Sequence, residues 1–192
     1  MKEAKQQVKD GYAVWDWACT GDITNPDVVV ACAGHEPTEE ALAAVNYLKK
    51  LAPKLSIKFI NVLNLMKLSV NHPDDLSDKE FDKLFTTDKP IIFNFHGYAG
   101  LIKQFFFDRT NKNVKVFGYQ EEGTITTSFD MSMRNNVDRC HIAMAIAQSS
   151  KLAPATKTKI NKEMTAILER HTQHIKETNT DLPEIENWHW GE

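Results

Sequence analysis

Several features common in other protein classes are missing from this sequence of 192 residues. Basic charge is not in excess: 23 Lys and Arg stand against 26 Asp and Glu, for a formal net charge of -3. Duplex binders carry a basic stripe, so nucleic acid is not an expected partner. The one basic run, residues 157–162, falls on the polar side of an expected helix and reads as a solvated face. Residues 1–11 are charged and hold no apolar core of a secretion signal, and no stretch approaches the ~20 apolar residues of a membrane-crossing helix. No membrane partner and a cytoplasmic location are therefore expected. The 3 cysteines (Cys19, Cys32 and Cys140) are odd in number, widely spaced and form no Cys-x-x-Cys pair, as expected of free thiols in a reducing compartment.

Signatures of self-sufficient catalysis are missing too. The first long apolar run ends in Ala31-Cys32-Ala33-Gly34-His35-Glu36, which lacks the Gly-x-Gly-x-x-Gly fingerprint. Glu36, Glu39 and Glu40 crowd the start of the helix that follows, where they would oppose a pyrophosphate. There is no P-loop and no Gly-x-Ser-x-Gly elbow. His171 and His174 lie on adjacent turns of one expected helix, but no Cys or His stands at ligand spacing, so they read as surface histidines and no metal site is expected. His141 sits beside Cys140 on an apolar stripe and reads as a hydrogen-bonded core or interface histidine. Cys32 ends a buried-type strand and reads as inert.

What is present is an alternation of strands and helices. Hydrophobic residues at 42% suffice for a core. Residues 12–18 are β-prone, and 28–33 form a continuous apolar strand of the kind buried on both faces. Strands are also expected at 57–63, 90–95 and 114–119. Between them the spacing predicts helices over 37–51, from the Ser77–Glu80 capping box to Phe85, and over 98–109. A helix capped by Ser128 or Asp130 is expected to run to about Gln148. Pro154 opens a last long helix, followed by an extended tail at 181–192 carrying Trp188 and Trp190. Two tryptophans are seldom left in water, so the tail is expected to dock, on this domain or on a neighbour. The expected fold is a single α/β domain over 1–192: a three-layer α/β/α sandwich with a mostly parallel sheet of about five strands and one antiparallel edge strand. Residues 12–150 form its core and 151–192 the C-terminal helix and docking tail.

Strand ends gather at one edge of such a sheet, and ligands of open α/β sheets bind there. The candidate crevice is lined by His96, Gly97, Tyr98, Tyr119, Glu121, Glu122, Thr124, Thr126 and Thr127. His96 suits acid–base work, or is a turn histidine bonded to a backbone carbonyl. Glu121 and Glu122 suit paired carboxylates, or form a solvated, salt-bridged loop. The threonines suit a phosphate at a helix N-terminus, or cap that helix and nothing more.

The residues also resemble a known family. Phe95-His-Gly-Tyr98, Leu101-Ile102, Arg109-Thr-Asn111, Gly118-Tyr-Gln-Glu-Glu-Gly-Thr124, Thr126-Thr127, Phe129-Asp-Met131 and Asp138-Arg139 with His141 are similar, in order, to the C-terminal domain of bacterial phosphoketolases. Ala31-Cys-Ala-Gly34, Phe85-Thr-Thr-Asp-Lys-Pro90 and Asp181-Leu-Pro-Glu-Ile185 with Trp188 and Trp190 agree. The match runs from about residue 12 to the end. His35, Ala99-Gly100, Lys103 and Cys140 depart from the pattern. The resemblance implies a thiamine diphosphate enzyme related to transketolase that cleaves xylulose 5-phosphate, and often fructose 6-phosphate, with phosphate to acetyl phosphate and an aldose phosphate.

It further implies that thiamine diphosphate and Mg are held by two preceding catalytic domains of the same polypeptide. This chain, as their structural and dimerisation domain in a homodimer, would carry no catalytic, cofactor-binding or metal residues and be inactive alone. A regulatory domain binding a nucleotide or phosphate metabolite in the crevice is the alternative; a free-standing hydrolase using His96 and Glu121 is a third and lacks an evident nucleophile.

Overall fold

In the computed structural model, which describes residues 2–120 and 123–191, the apolar runs become strands and the periodic segments between them become helices. The chain opens with a charged helix, α1 (Lys2–Asp10), and turns at Gly11 into a short strand, β1 (Tyr12–Val14). There follow β2 (Val28–Ala33), α2 (His35–Leu51), β3 (Ile57–Val62), α3 (Asp78–Phe85), β4 (Ile91–Phe95), α4 (Ala99–Phe107) and β5 (Val114–Phe117). The C-terminal part is helical: α5 (Ser128–Arg134), α6 (Arg139–Ser149), α7 (Pro154–Thr178) and α8 (Pro183–Glu186).

The sheet has five strands in the order β1-β3-β2-β4-β5. β2, β3, β4 and β5 are parallel, and β1 pairs antiparallel with β3 at the edge. Side chains alternate between faces with period two. Val28, Val30 and Cys32 point into one core with Ile57, Phe59 and Ile92, beneath helices α2, α6 and α7. Val29, Ala31 and Ala33 point into the other with Ile60, Phe93 and Phe95, against Phe81 and Phe85 of α3 and Phe106 of α4. Every residue of β2 is buried, as its unbroken apolar run requires of a central strand covered on both sides. The three-layer mostly parallel sandwich is thus present.

Residues 2–10, to which the sequence pattern assigns no element, are helical. Three local expectations are corrected. The helix expected from 128 to about 148 is two helices: Asn136 adopts a left-handed φ of 59°, and Asp138 starts α6 by accepting hydrogen bonds from the Cys140 and His141 amides at 2.9 and 3.2 Å. Thr127, not Ser128 or Asp130, caps α5. The tail is not extended throughout, because Pro183, with φ preset for a first turn, opens α8.

The tail docks on this domain. Trp190 meets Trp17 edge to face at 5.1 Å between centroids, with Lys49 Nζ 4.1 Å over its ring, and Trp188 lies 5.2 Å from the Arg139 guanidinium.

Candidate functional site

The strand order reverses between β2 and β4, because the chain leaves β2 toward β3 on one side and returns to β4 on the other. The crevice of such a sheet lies at the carboxyl ends of those two strands. Register brings their ends together: Ala33 pairs with Phe95, and the His96 amide donates to Ala33 O at 2.9 Å. Gly34, at φ 106°, makes this approach possible, since a Cβ there would stand 2.3 Å from His96 Cβ. His96 Nδ1 then lies 2.9 Å from Glu36 Oε2 in the first turn of α2, with both side chains about half exposed. Tyr119 packs edge-on against the imidazole at 5.2 Å and is held there by its amide, which donates to Gly97 O at 2.9 Å. Gly118 is required at that crossing, where a Cβ would lie 2.4 Å from Gly97 O. Burial, and then the Glu36 charge, push the Tyr119 hydroxyl above its ordinary pKa.

The resulting open cleft of about 420 Å³ is lined by Gly34, His35, Glu36, Leu63, Leu65 and His96, among others. Of the predicted residues, His96 alone is among those lining this cleft; Tyr119 and Gly97 stand behind it, against His96, and Tyr98 follows at the same strand end, 57% exposed. Thr126 and Thr127 line a different cavity, with Ile175 and Asn179. The Thr126 hydroxyl donates to Asp130 Oδ2 at 2.8 Å. The Thr127 oxygen accepts from the Asp130 amide, and its hydroxyl bonds Asp181 in the tail. Both are engaged in capping and cross-bracing. Thr124 is exposed in the loop before them. Glu121 and Glu122 lie outside the described residues. What sequence reasoning missed is the role of Glu36: the strand end Gly34-His35-Glu36 is legible at this edge, but the pairing of Glu36 with His96 follows only from the β2–β4 register.

The donor set limits the chemistry. None of the described side chains lining the cleft carries a hydroxyl or a thiol, so its acid–base pair, His96 with Glu36, has no nucleophile in that lining to activate. The residues do not fit thiamine diphosphate with Mg: Glu36 occupies the first turn of α2, where a diphosphate would need donors and positive potential. Among the described residues no three His, Cys, Asp or Glu side chains group to hold a metal ion. Cys32 is fully buried, and burial pushes its thiol up to about 12, far from a thiolate.

Two buried ionic clusters lie in the helical layer beside the crevice. Arg139, 2% exposed, binds Glu40 through its amide at 2.7 Å, Nε at 2.9 Å and Nη2 at 2.6 Å, and its guanidinium lies 5.5 and 5.2 Å from the centres of the Phe129 and Trp188 rings. His171, expected on the surface, is instead fully buried, because α7 turns that face onto α5 and the tail. Its Nε2 lies 3.7 Å from both Asp130 Oδ1 and Asp181 Oδ1, and its ring meets Phe129 edge to face at 4.8 Å. His174 stays at the surface near Thr180, at 3.3 Å. His141 pairs with Asp138.

Comparison with known proteins places this arrangement. The family model described as XFP C-terminal domain matches residues 1–190. "Probable phosphoketolase 2" of Lactiplantibacillus plantarum is 49% identical over 190 residues, 99% of this chain and 24% of its own length. "Probable phosphoketolase" of Pediococcus pentosaceus is 48% identical over 193 residues, and "Xylulose-5-phosphate phosphoketolase" of Lactiplantibacillus pentosus is 42% identical over 192, each match covering 99% of this chain and 24% of the relative. The chain thus spans about a quarter of the length of the curated relatives it matches. Among solved structures, "Split gene transketolase, inactive beta4 tetramer" is similar in fold, with a TM-score of 0.50 at 13% identity over 73% of this chain and 42% of that one. By the family model and by its relatives, the chain belongs to the family of phosphoketolase C-terminal domains.

Proposed function

We propose that this chain serves as the C-terminal domain of a phosphoketolase that cleaves xylulose 5-phosphate with inorganic phosphate to acetyl phosphate and a shorter aldose phosphate. In this reading thiamine diphosphate and Mg are bound by two preceding catalytic domains. The present domain stabilises their assembly, in a homodimer, and performs no chemistry alone. The observation that carries the proposal is the extent of the match: 99% of this chain aligns at 49% identity with only 24% of a phosphoketolase. The crevice agrees, since the described residues of its lining present a His–Glu pair without a nucleophile, and Glu36 where a diphosphate would sit.

The test is calorimetric and enzymatic. Titrating the isolated 192-residue chain with thiamine diphosphate and Mg is expected to give no saturable heat, and incubation with xylulose 5-phosphate and phosphate no acetyl phosphate. The full-length polypeptide is expected to bind the cofactor saturably and to make acetyl phosphate. Cofactor binding or turnover by the isolated chain would overturn the proposal, as would a full-length polypeptide that makes no acetyl phosphate.

A further inference from the structure

The chain enters the domain at the same sheet edge as the crevice. β1 is antiparallel to β3 and Tyr12 pairs with Val62, so the start of β1 lies at the carboxyl end of β3. Gly11 O accepts hydrogen bonds from the Leu63 and Asn64 amides at 2.9 and 2.8 Å. α1 therefore joins the sheet beside the loop that supplies Leu63 and Leu65 to the cleft wall. Helix α1 is itself unsupported by burial: none of its nine residues is buried, and Val8 is 69% exposed. Isolated helices shorter than ~12–15 residues are marginal in water. Further apolar groups lie exposed along this edge: Leu63 at 47%, and Tyr98 and Leu101 at 57% and 40%, one turn apart where α4 begins. Exposed apolar groups gathered around a half-exposed polar pair are the composition of an interaction surface, with apolar contacts for affinity and His96–Glu36 for register.

We propose that this carboxyl edge, formed by Val8, Leu63, Tyr98 and Leu101 around the His96–Glu36 pair, is the seat on which the polypeptide preceding this domain docks. The inference rests on the reading given under Proposed function and adds the face. The occupant follows from where the chain lies in its family. The matched region is a C-terminal domain making up 24% of the relatives' length, so most of their chain lies outside it. A body of that size, tethered through α1, meets the edge at which α1 arrives. Its cover supplies the burial that α1 lacks in this domain.

Hydroxyl-radical footprinting of the full-length polypeptide tests this with an internal reference. Phe107, 75% exposed, lies at the far end of α4 from Tyr98, about 14 Å away along the helix. Tyr98, Leu63 and Leu101 are expected to be modified at least ~10-fold more slowly than Phe107 after correction for intrinsic reactivity. A second arm replaces Leu63 by Glu; exposure of Tyr98 is expected to rise while circular dichroism stays unchanged. Equal modification of both ends of α4 overturns the inference. Protection that vanishes on dilution to separated subunits assigns the face to a second copy and also overturns it. Acetyl phosphate production in the same preparation keeps the two readings apart: an active enzyme with an open edge refutes the docking face alone, whereas an inactive one refutes the proposed function.

Discussion

Arg139 brings a full positive charge into the interior, and Glu40 makes that tolerable. Guanidinium and carboxylate meet in a two-pronged contact, 2.9 and 2.6 Å, with both residues less than a tenth exposed. Removing one partner strands the other charge in a medium that solvates it poorly. Glu40→Ala is therefore expected to cost about 3–5 kcal/mol of stability. Replacing both partners, Glu40→Leu with Arg139→Met, is expected to cost much less, because the desolvation penalty disappears with the pair. Urea unfolding of the two variants against the parent checks this. Equal losses would mean that the guanidinium acts through packing against Phe129 and Trp188. Cys32 and Cys140 illustrate the converse: both are buried thiols whose ionisation burial suppresses, so they pack as small apolar groups.

At the scale of elements, the junction between α5 and α6 shows how a local polar signal overrides an apolar stripe. Val137, Cys140 and Met144 keep helical spacing, yet Val137 falls in a break: Asn136 is left-handed and α6 starts only after Asp138. Asp138 is fully buried, caps α6 and pairs with His141. Asp138→Ala is expected to lower stability by about 1–2 kcal/mol, the upper range for a lost cap, and Asp138→Asn to recover most of it. Thermal unfolding followed at 222 nm would show this; an unchanged midpoint would place the start of α6 under the control of packing. Elements set by nearby residues were legible: the Ser77–Glu80 capping box, the buried strand β2 and the proline that opens α7 all form where the sequence puts them. The crevice was legible at His96, a histidine at a strand end. Its pairing with Glu36 was not, nor was the Thr127–Asp181 contact across 54 positions, because each depends on which distant segments the fold brings side by side.

Across the whole molecule, the C-terminal segment fastens the helical layer. α7 packs on α6 and α5, the tail returns over Arg139 to Trp17, and His171 sits where α5, α7 and the tail meet. Its burial pushes the imidazole below its ordinary pKa of 6.5, against the opposing pull of Asp181 and Asp130 and with a smaller downward push from His174. Asp130 behaves differently: burial pushes its carboxyl up, but hydrogen bonds from Arg134 and Thr126 outweigh that and hold it below 3.8. The signs give two acid steps. Once pH falls below 6.5, the unfolded chain takes up a proton at His171 that the native state resists, so stability declines from there down to the lowered native pKa. Below 3.8 the unfolded chain protonates Asp130 while the native carboxylate stays charged, and stability is lost again as pH falls through that lowered native pKa. Urea midpoints at pH 7.5 and 5.5 isolate the first step. The parent chain is expected to be less stable at pH 5.5, and His171→Gln to lose markedly less over that interval because the group that titrates is gone. A variant as acid-sensitive as the parent would show that the bridge from α7 to the tail tolerates an imidazolium, with the Asp130 and Asp181 carboxylates, 3.7 Å away, supplying its counter-charge.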